Sequence, residues 1–432
     1  MSLSSSVSKK KEFCTTHIAL LFFINMLFLK CSAIDNPHFY RATLFWGEPR
    51  IDRPWLSTFQ TEFAFGHATT SWNDQGKKER LLDIFGFQNM RALGQNVPTL
   101  DSTNTLDQIL INLAALPSYN TFGLMSYKGS FRFSEITCIA YQNLLQGFFF
   151  QAHLPIRRLL LSKVRALDLS PLQGILSQQT PLWKDFLANF NAIFARHNLF
   201  LGGSDQTGAG DLSFLVGWAK NYNETTSLDF IDFDARIGLL LPTAKTASLT
   251  HPFALPLGYN GHSGVPLKFN ISCGYLEWIT VGAHLGALFL VEKNQHLRIK
   301  TSNQQTGFIS LSTANATIDP GIYWDFSTYF KADHLCKGFS FLIGYTYSHK
   351  DPDSICTKNK DPLFISTAQH NSLLKSWNMH MLNFMIEFDP NRTSESSKPI
   401  ITFFYDLIIA GKRIFNASTK EIIASINSTW EF

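Results

Sequence analysis

From residue 130 onward the chain is a succession of segments in which apolar and polar side chains alternate with a period of two. Between Ile231 and Leu241, the set Ile231, Phe233, Ala235, Ile237, Leu239 and Leu241 opposes Asp232, Asp234, Arg236 and Gly238. Further on, Phe339, Phe341, Ile343, Tyr345 and Tyr347 oppose Ser340, Gly344, Thr346 and Ser348. A strand sends successive side chains to opposite faces, so each segment reads as one strand of a two-faced sheet. The segments run roughly ten to thirteen residues. Strands of soluble proteins are usually about five or six residues long, whereas a tilted strand needs ~9–11 to cross a membrane.

Composition narrows the choice. Charged residues are 16% of the chain and aromatics 14%, with 39 Phe. Mean hydropathy is nevertheless −0.01. Aromatic richness with low charge excludes intrinsic disorder. A formal charge of +4 with no basic stripe argues against a nucleic-acid partner. A bundle of membrane helices needs ~20 consecutive apolar residues per span. The longest mainly apolar run is Ile18–Leu29, and Asn25 interrupts it.

That run has another use. Lys9, Lys10 and Lys11 precede it, and Cys31, Ser32 and Ala33 follow it. A basic start, a short apolar core and small residues make an export signal, expected over 1–33 with cleavage after Ala33. The mature chain would be 34–432, with a net charge of +1 once the signal's four Lys and one Glu are gone. Its four Cys form no C-x-x-C pair, so zinc and redox readings find no support. In an oxidising compartment Cys336 and Cys356 could be bridged.

The segments are expected at 55–66, 131–142, 145–157, 211–220, 229–241, 265–274, 277–290, 320–333, 338–349, 377–389, 399–410 and 420–432. Short and long connectors alternate between them, except after the eleventh. Short turns on one side and longer loops on the other are the asymmetry of an outer-membrane barrel, and aromatics gather at the segment ends (Trp55, Trp218, Trp278, Trp324, Tyr347, Trp377, Trp430). The expected fold is therefore all-β: a transmembrane antiparallel up-and-down barrel of about twelve strands, with ten to fourteen as the range. Glu135 and the Met379/Met381 pair blur the faces of the second and tenth segments.

The chain ends Ile422, Ala424, Ile426, Ser428, Trp430, Phe432 on one face. A terminal Phe with an aromatic two positions earlier resembles the C-terminal strand by which bacterial outer-membrane proteins are recognised for assembly. The resemblance implies that the insertion machinery is a partner and that Trp430 and Phe432 are the signal. A Gly common upstream in that pattern is absent here. The stretch Gly210-Asp211-Leu212-Ser213-Phe214, with Arg236-Ile237-Gly238-Leu239 and Pro242-Thr243, is similar to strands of outer-membrane transporters of the phenol-degradation and fatty-acid-uptake types. That resemblance implies uptake of a small or apolar solute across the outer membrane, without naming the solute.

If the apolar faces meet the lipid bilayer, the opposite faces line the lumen. That set is Glu62, His153, Arg157, Asp211, Asp232, Asp234, Arg236, Lys268, His284, Asp325, Lys331, Asp333, Glu387 and Asp406. Both signs are present, as a selective polar path requires. The same residues could instead brace a closed barrel, with bulky Phe149, Tyr323, Tyr329 and Phe404 filling it. Such a barrel would act as a structural or surface-interaction protein through its outer loops.

The first connection, 67–130, is long enough to hold structure as a plug or a cap. Asn104–Leu116 carries Leu106, Ile109, Leu110 and Leu113 at helical spacing. The connection 158–210 carries an amphipathic helix over 181–196, with Trp183, Phe186, Leu187, Phe190, Ile193 and Phe194 on one side.

Asn260-Gly261-His262-Ser263-Gly264 places a His beside a Ser, residue types that a phospholipase-like barrel enzyme uses. Catalysis requires the base within hydrogen-bond reach of the hydroxyl, and neighbouring residues point apart. No catalytic, metal or cofactor site is expected. A soluble β-sandwich would share the alternation but not the strand length.

Overall fold

In the computed structural model the described residues are 56–116, 122–170, 179–223, 228–276, 278–336, 338–357, 362–389 and 400–429. The expected leader 1–33, Trp55, Trp430 and Phe432 lie outside them.

Twelve long strands form the wall. They are β1 (Leu56–Ala68), β2 (Leu124–Asn143), β3 (Phe148–Asp168), β4 (Leu212–Asn223), β5 (Phe230–Leu241) and β6 (Gly264–Tyr275), followed by β7 (Ile279–Leu290), β8 (Tyr323–Cys336), β9 (Phe339–Lys350), β10 (Trp377–Phe388), β11 (Ile400–Lys412) and β12 (Ser418–Thr429). Each pairs antiparallel with its neighbours in sequence, and β12 pairs back onto β1, Leu56 opposite Thr429. The sheet is a closed up-and-down barrel with no free edge, the arrangement that satisfies every backbone group inside a bilayer. Each expected segment falls on a strand of this wall over its described residues.

Alternation sets the two faces. Phe63, Val216, Leu285, Ile343 and Phe403 point outward and are between 44% and 52% exposed. Similar apolar residues cover the outer side of all twelve strands. A contiguous apolar surface on this scale is not maintained in water, and a bilayer is what covers it. Near the short turns the outer face carries Phe148, Trp218, Tyr222, Tyr275, Trp278 and Phe339, an interfacial aromatic row. Trp377, expected at an interface, faces inward and is buried.

Several boundaries differ from the sequence reading. β2 and β3 run far past 131–142 and 145–157. Their upper halves rise beyond the barrel as a hairpin, and a short strand at Ser204–Ala209 pairs with Ile156–Leu161 to complete a three-stranded flap. Backbone pairing therefore continues where the alternation has faded. On β2 the inward face is Phe131, Phe133, Glu135, Thr137, Ile139 and Tyr141. Its apolar residues point both ways because its upper part packs against the cap, not water. The helix expected over 181–196 is two: α2 (Gln179–Ala188) and α3 (Phe190–Arg196), broken at Asn189. Cys336 lies at the turn end of β8 and Cys356 beyond the loop end of β9. The twelve residues of β9 hold them roughly 40 Å apart, far beyond disulfide reach. Cys356 is a free, exposed thiol.

Among the described residues the largest core is in the loops rather than the barrel. Leu81, Leu82, Ile84, Met90 and Leu93 of the first loop pack with Leu110 and Leu113 of α1 (Thr105–Ala115), with Phe186 and Phe194, and with Phe253, Phe308, Ile309 and Phe415 from later loops. Asn104 caps α1, its side chain accepting from the Leu106 and Asp107 amides. This cap rests on Ala64, Ala68, Phe131, Phe133, Leu159 and Leu161, at the upper ends of β1, β2 and β3.

Candidate functional site

Below the cap, the inward side chains fall into three levels. The uppermost is apolar: Leu240, Leu288, Tyr323, Trp377, Met379 and Met381 pack together, with Ile414 from the loop before β12. The Tyr323 and Trp377 rings meet edge to face at 6.0 Å. Two Met in one layer make an adaptable filling, since the thioether chain repacks at little cost. A buried ion pair borders this level. Lys350 is buried, its ammonium 5.7 Å over the Tyr323 ring and 2.5 Å from Asp353 Oδ1. Asp353 also accepts from the Gly321 amide at 3.0 Å. Burial pushes the Asp353 carboxyl up to about 6 against the pull of Lys350.

The middle level is polar and follows the wall from strand to strand. Gln151 Nε2 donates to the Tyr141 hydroxyl at 2.6 Å, and its Oε1 accepts from Arg236 at 3.0 Å. Arg236 also donates to Asp234 at 2.6 Å and lies over the Phe149 ring. Asn270 Nδ2 donates to the other oxygen of Asp234 at 2.7 Å, and its Oδ1 faces His284 Nδ1. His284 Nε2 reaches Asp325 at 2.8 Å. On the far wall Ser327, Thr346, Asn383 and Asp406 are linked by bonds of 3.0, 2.7 and 2.7 Å. Gly217 lets this layer close on β4, because its missing side chain leaves the space that the Phe149 ring fills.

The lowest level is mixed. Lys331 donates to Asp333 and Glu387, each at 2.9 Å, and Thr280 donates to Asp333 at 2.8 Å. Tyr329, Leu342, Met385, Phe404 and Ile423 fill the other side.

The charged positions singled out from the sequence thus fall into connected groups. Asp234, Arg236, His284 and Asp325 share one chain, Lys331, Asp333 and Glu387 share another, and Asp406 ends the third. Asp232 bonds Asn221. Glu62, His153 and Lys268 are half-buried on the same side of their strands.

Two others fasten the cap to the wall. Arg157 pairs with Glu135 and donates to the Leu257 carbonyl at 2.9 Å. Asp211 accepts from the Ala244 and Tyr259 amides at 3.0 and 2.6 Å, pinning the loop between β5 and β6.

Sequence reasoning missed Glu135 and Glu421, both buried and inward. Glu421 stands opposite the face of Ile422 and Ala424, so alternation could have found it. Asn270 shares the face of Lys268, Asn383 that of Glu387 and Lys350 that of Ser348, so the same alternation reaches them, whereas Asp353 lies in a loop and carried no such signal.

Within the cap, Asp107 joins two loops. It accepts from Arg196 at 3.0 and 3.2 Å and lies 3.1 Å from His197 Nε2. A cleft of about 550 Å³ opens beside them, lined also by Thr250, His296 and Arg298. Arg298 donates to carbonyls of Leu249, Ser310, Leu311, His197 and Asn198, so it is a clip between loops. Asp83 accepts from Ser126 and the Tyr127 amide, and burial lifts its carboxyl to about 6. His262 is buried with Nδ1 3.1 Å from the Val291 carbonyl and Nε2 2.5 Å from Gln295 Nε2. Its ring is thus engaged away from Ser263, and burial lowers its pKa to about 4.

No family model matches this sequence, and no curated protein matches it. Among solved structures, an outer membrane channel from Pseudomonas putida F1 aligns with a TM-score of 0.48 at 12% identity, covering 91% of this chain and 99% of that one. The Ralstonia pickettii toluene transporter TbuX aligns with a TM-score of 0.33 at 9% identity, over 87% and 90% of the two chains. A Pseudomonas aeruginosa FadL homologue gives 0.28 at 10%, over 87% and 90%.

Proposed function

We propose that this protein takes small apolar molecules across a bacterial outer membrane, through a barrel that is filled at rest. The single observation that carries this reading is the uppermost lumen level. Leu240, Leu288, Tyr323, Trp377, Met379 and Met381 form an apolar, Met- and aromatic-rich layer directly beneath the cap. A water-filled porin has a polar interior throughout. Here an apolar solute entering from the loop side meets an apolar layer first, and Met side chains that can move aside. Glu62, His153, Arg157, Asp211, Asp232, Asp234, Arg236, Lys268, His284, Asp325, Lys331, Asp333, Glu387 and Asp406 then line the remainder of the path or its supports. The chain is exported with cleavage after Ala33, is inserted by machinery that reads Trp430 and Phe432, and performs no catalysis.

The test is accumulation of a labelled small aromatic hydrocarbon by cells whose outer membrane lacks other channels for it. Expression should speed uptake, and Trp377→Asp should abolish the gain while a sugar-sized solute is unaffected. A steady ion conductance in planar bilayers without hydrocarbon uptake would assign an open porin instead.

One observation favours a second reading. The polar middle level is buried and bonded from side chain to side chain, as in a braced barrel acting through its cap. Absence of both conductance and uptake, together with loop-dependent binding of a partner, would establish it.

A further inference from the structure

The outer surface of the barrel changes character abruptly on β1, β2 and β3. Phe63, Ile136 and Ile156 are directly opposite one another on the three strands, and each is more than 40% exposed. They belong to the apolar belt. The next outward row is Phe65, Ser134 and Arg158, and the row above it is His67, Arg132 and Leu160. Higher on the same hairpin, Lys128 stands opposite Arg165, and a bulge between Lys128 and Ser130 leaves Lys163 beside them with φ of +55°. Lys128, Arg132, Lys163 and Arg165 are all exposed.

Like charges facing each other across a strand pair oppose folding, and a non-glycine residue at positive φ adds strain. Arg158 is neutralised by Asp205 through bonds of 3.0 and 2.7 Å. The other four cations form no ion pair among the described residues.

Depth fixes what faces them. Arg132 lies eleven positions above Asn143, the turn end of β2. A tilted strand crosses the hydrocarbon in ~9–11 residues. Arg132 therefore stands at the outer edge of the hydrocarbon, with Lys128, Lys163 and Arg165 in the headgroup layer above. Guanidinium groups bind phosphate through paired hydrogen bonds, and basic residues at a bilayer surface are drawn to anionic headgroups.

We propose that this ladder is a binding site for a phosphorylated lipid of the outer leaflet. The acyl chains would lie along Phe63, Ile136 and Ile156, and the phosphates would be held by Arg132, Arg165, Lys128 and Lys163. The site goes beyond transport and rests only on the outer-membrane part of the proposed function.

The test uses the purified full barrel in dodecylmaltoside, with diphosphoryl lipid A as probe. Binding is read by native mass spectrometry and by the temperature at which the heat-modifiable band unfolds. Lipid A should bind and raise that temperature, whereas phosphatidylethanolamine should not. The quadruple variant K128Q/R132Q/K163Q/R165Q should weaken binding roughly tenfold or more. K220Q, at the turn end of the wall, should leave it unchanged. R132Q and R165Q singly, each folded by the same band shift, should weaken it by a smaller factor.

Equal binding of dephosphorylated lipid A, competition by inorganic phosphate at matching concentration, or wild-type binding by the folded variants would each overturn the proposal. None of these outcomes depends on hydrocarbon uptake, so a failure of the transport reading is distinguishable from a failure of this one.

Discussion

His284 Nε2 lies 2.8 Å from Asp325 Oδ2 between adjacent strands β7 and β8, and both side chains are almost completely buried. Asn270 holds the other ring nitrogen. Removing one partner of such a pair leaves a polar group without compensation, which typically costs about 3–5 kcal/mol. His284→Ala should therefore lower the unfolding temperature of the purified barrel markedly, and so should Asp325→Ala. The double variant H284F/D325L should recover much of the loss, because it leaves neither group stranded. A double variant as unstable as the sum of the two singles would show that the pair does not act as a unit.

The Lys350–Asp353 pair should behave in the same way at the loop end. Lys350→Met alone leaves Asp353 buried, with Gly321 still donating to it. Protease sensitivity of the 351–376 loop should rise in K350M and fall back toward wild type in K350M/D353N. Unchanged proteolysis in K350M would mean that the pair contributes nothing to holding this loop.

Asp83 provides the pH prediction. Its folded pKa, about 6, is raised above the ordinary 3.8. The folded state therefore binds the proton more readily than the unfolded one. Its contribution is favourable at low pH and is lost as pH rises through about 6, over a range worth at most about 3 kcal/mol. His262 works in the opposite direction, since its folded pKa near 4 favours the cap at higher pH. The comparison must therefore be between Asp83→Asn and wild type. Hydrogen exchange in the first loop should show wild type gaining protection relative to D83N between pH 7 and 5. A difference that does not vary with pH would contradict the assignment.

Gly217 and Phe149 are complementary across β3 and β4. Gly217→Leu should prevent formation of the heat-modifiable band, because its side chain would occupy the space of the Phe149 ring. Phe149→Ala introduced with it should restore at least part of the folded fraction. Overpacking of this sort usually costs about 1–3 kcal/mol or more.

Cys356 tests orientation. It is free and exposed on the loop side, whereas Cys138 and Cys273 lie on the wall. A membrane-impermeant maleimide added to intact cells should label Cys356, and Cys356→Ser should remove the signal. Labelling that appears only after the outer membrane is opened would place the loops on the other side.

Much of the wall was legible in the sequence because a strand's two faces are a local property. The alternation of Ile231–Leu241 or Phe339–Ser348 fixes which side chains share a face before any neighbour is known. Near neighbours in sequence are also neighbours in an up-and-down barrel, so strand order required no further information. Glu135 and the Met379/Met381 pair blurred their segments for one physical reason. They point into a lumen whose upper end is apolar, so the inward side is not uniformly polar.

The sequence by itself placed about twelve strands, within a range of ten to fourteen, and marked most of their sidedness and the apolar outer wall, since a face is set by a two-residue period. Only the tertiary structure decided which inward groups meet. The chain from Tyr141 to Asp325 joins residues far apart in sequence, brought together by closure and the stagger between strands. The cap was also beyond reach, because Leu81, Phe186, Phe253 and Phe308 come from four different loops. No periodicity links them, and only burial against one another selects their arrangement.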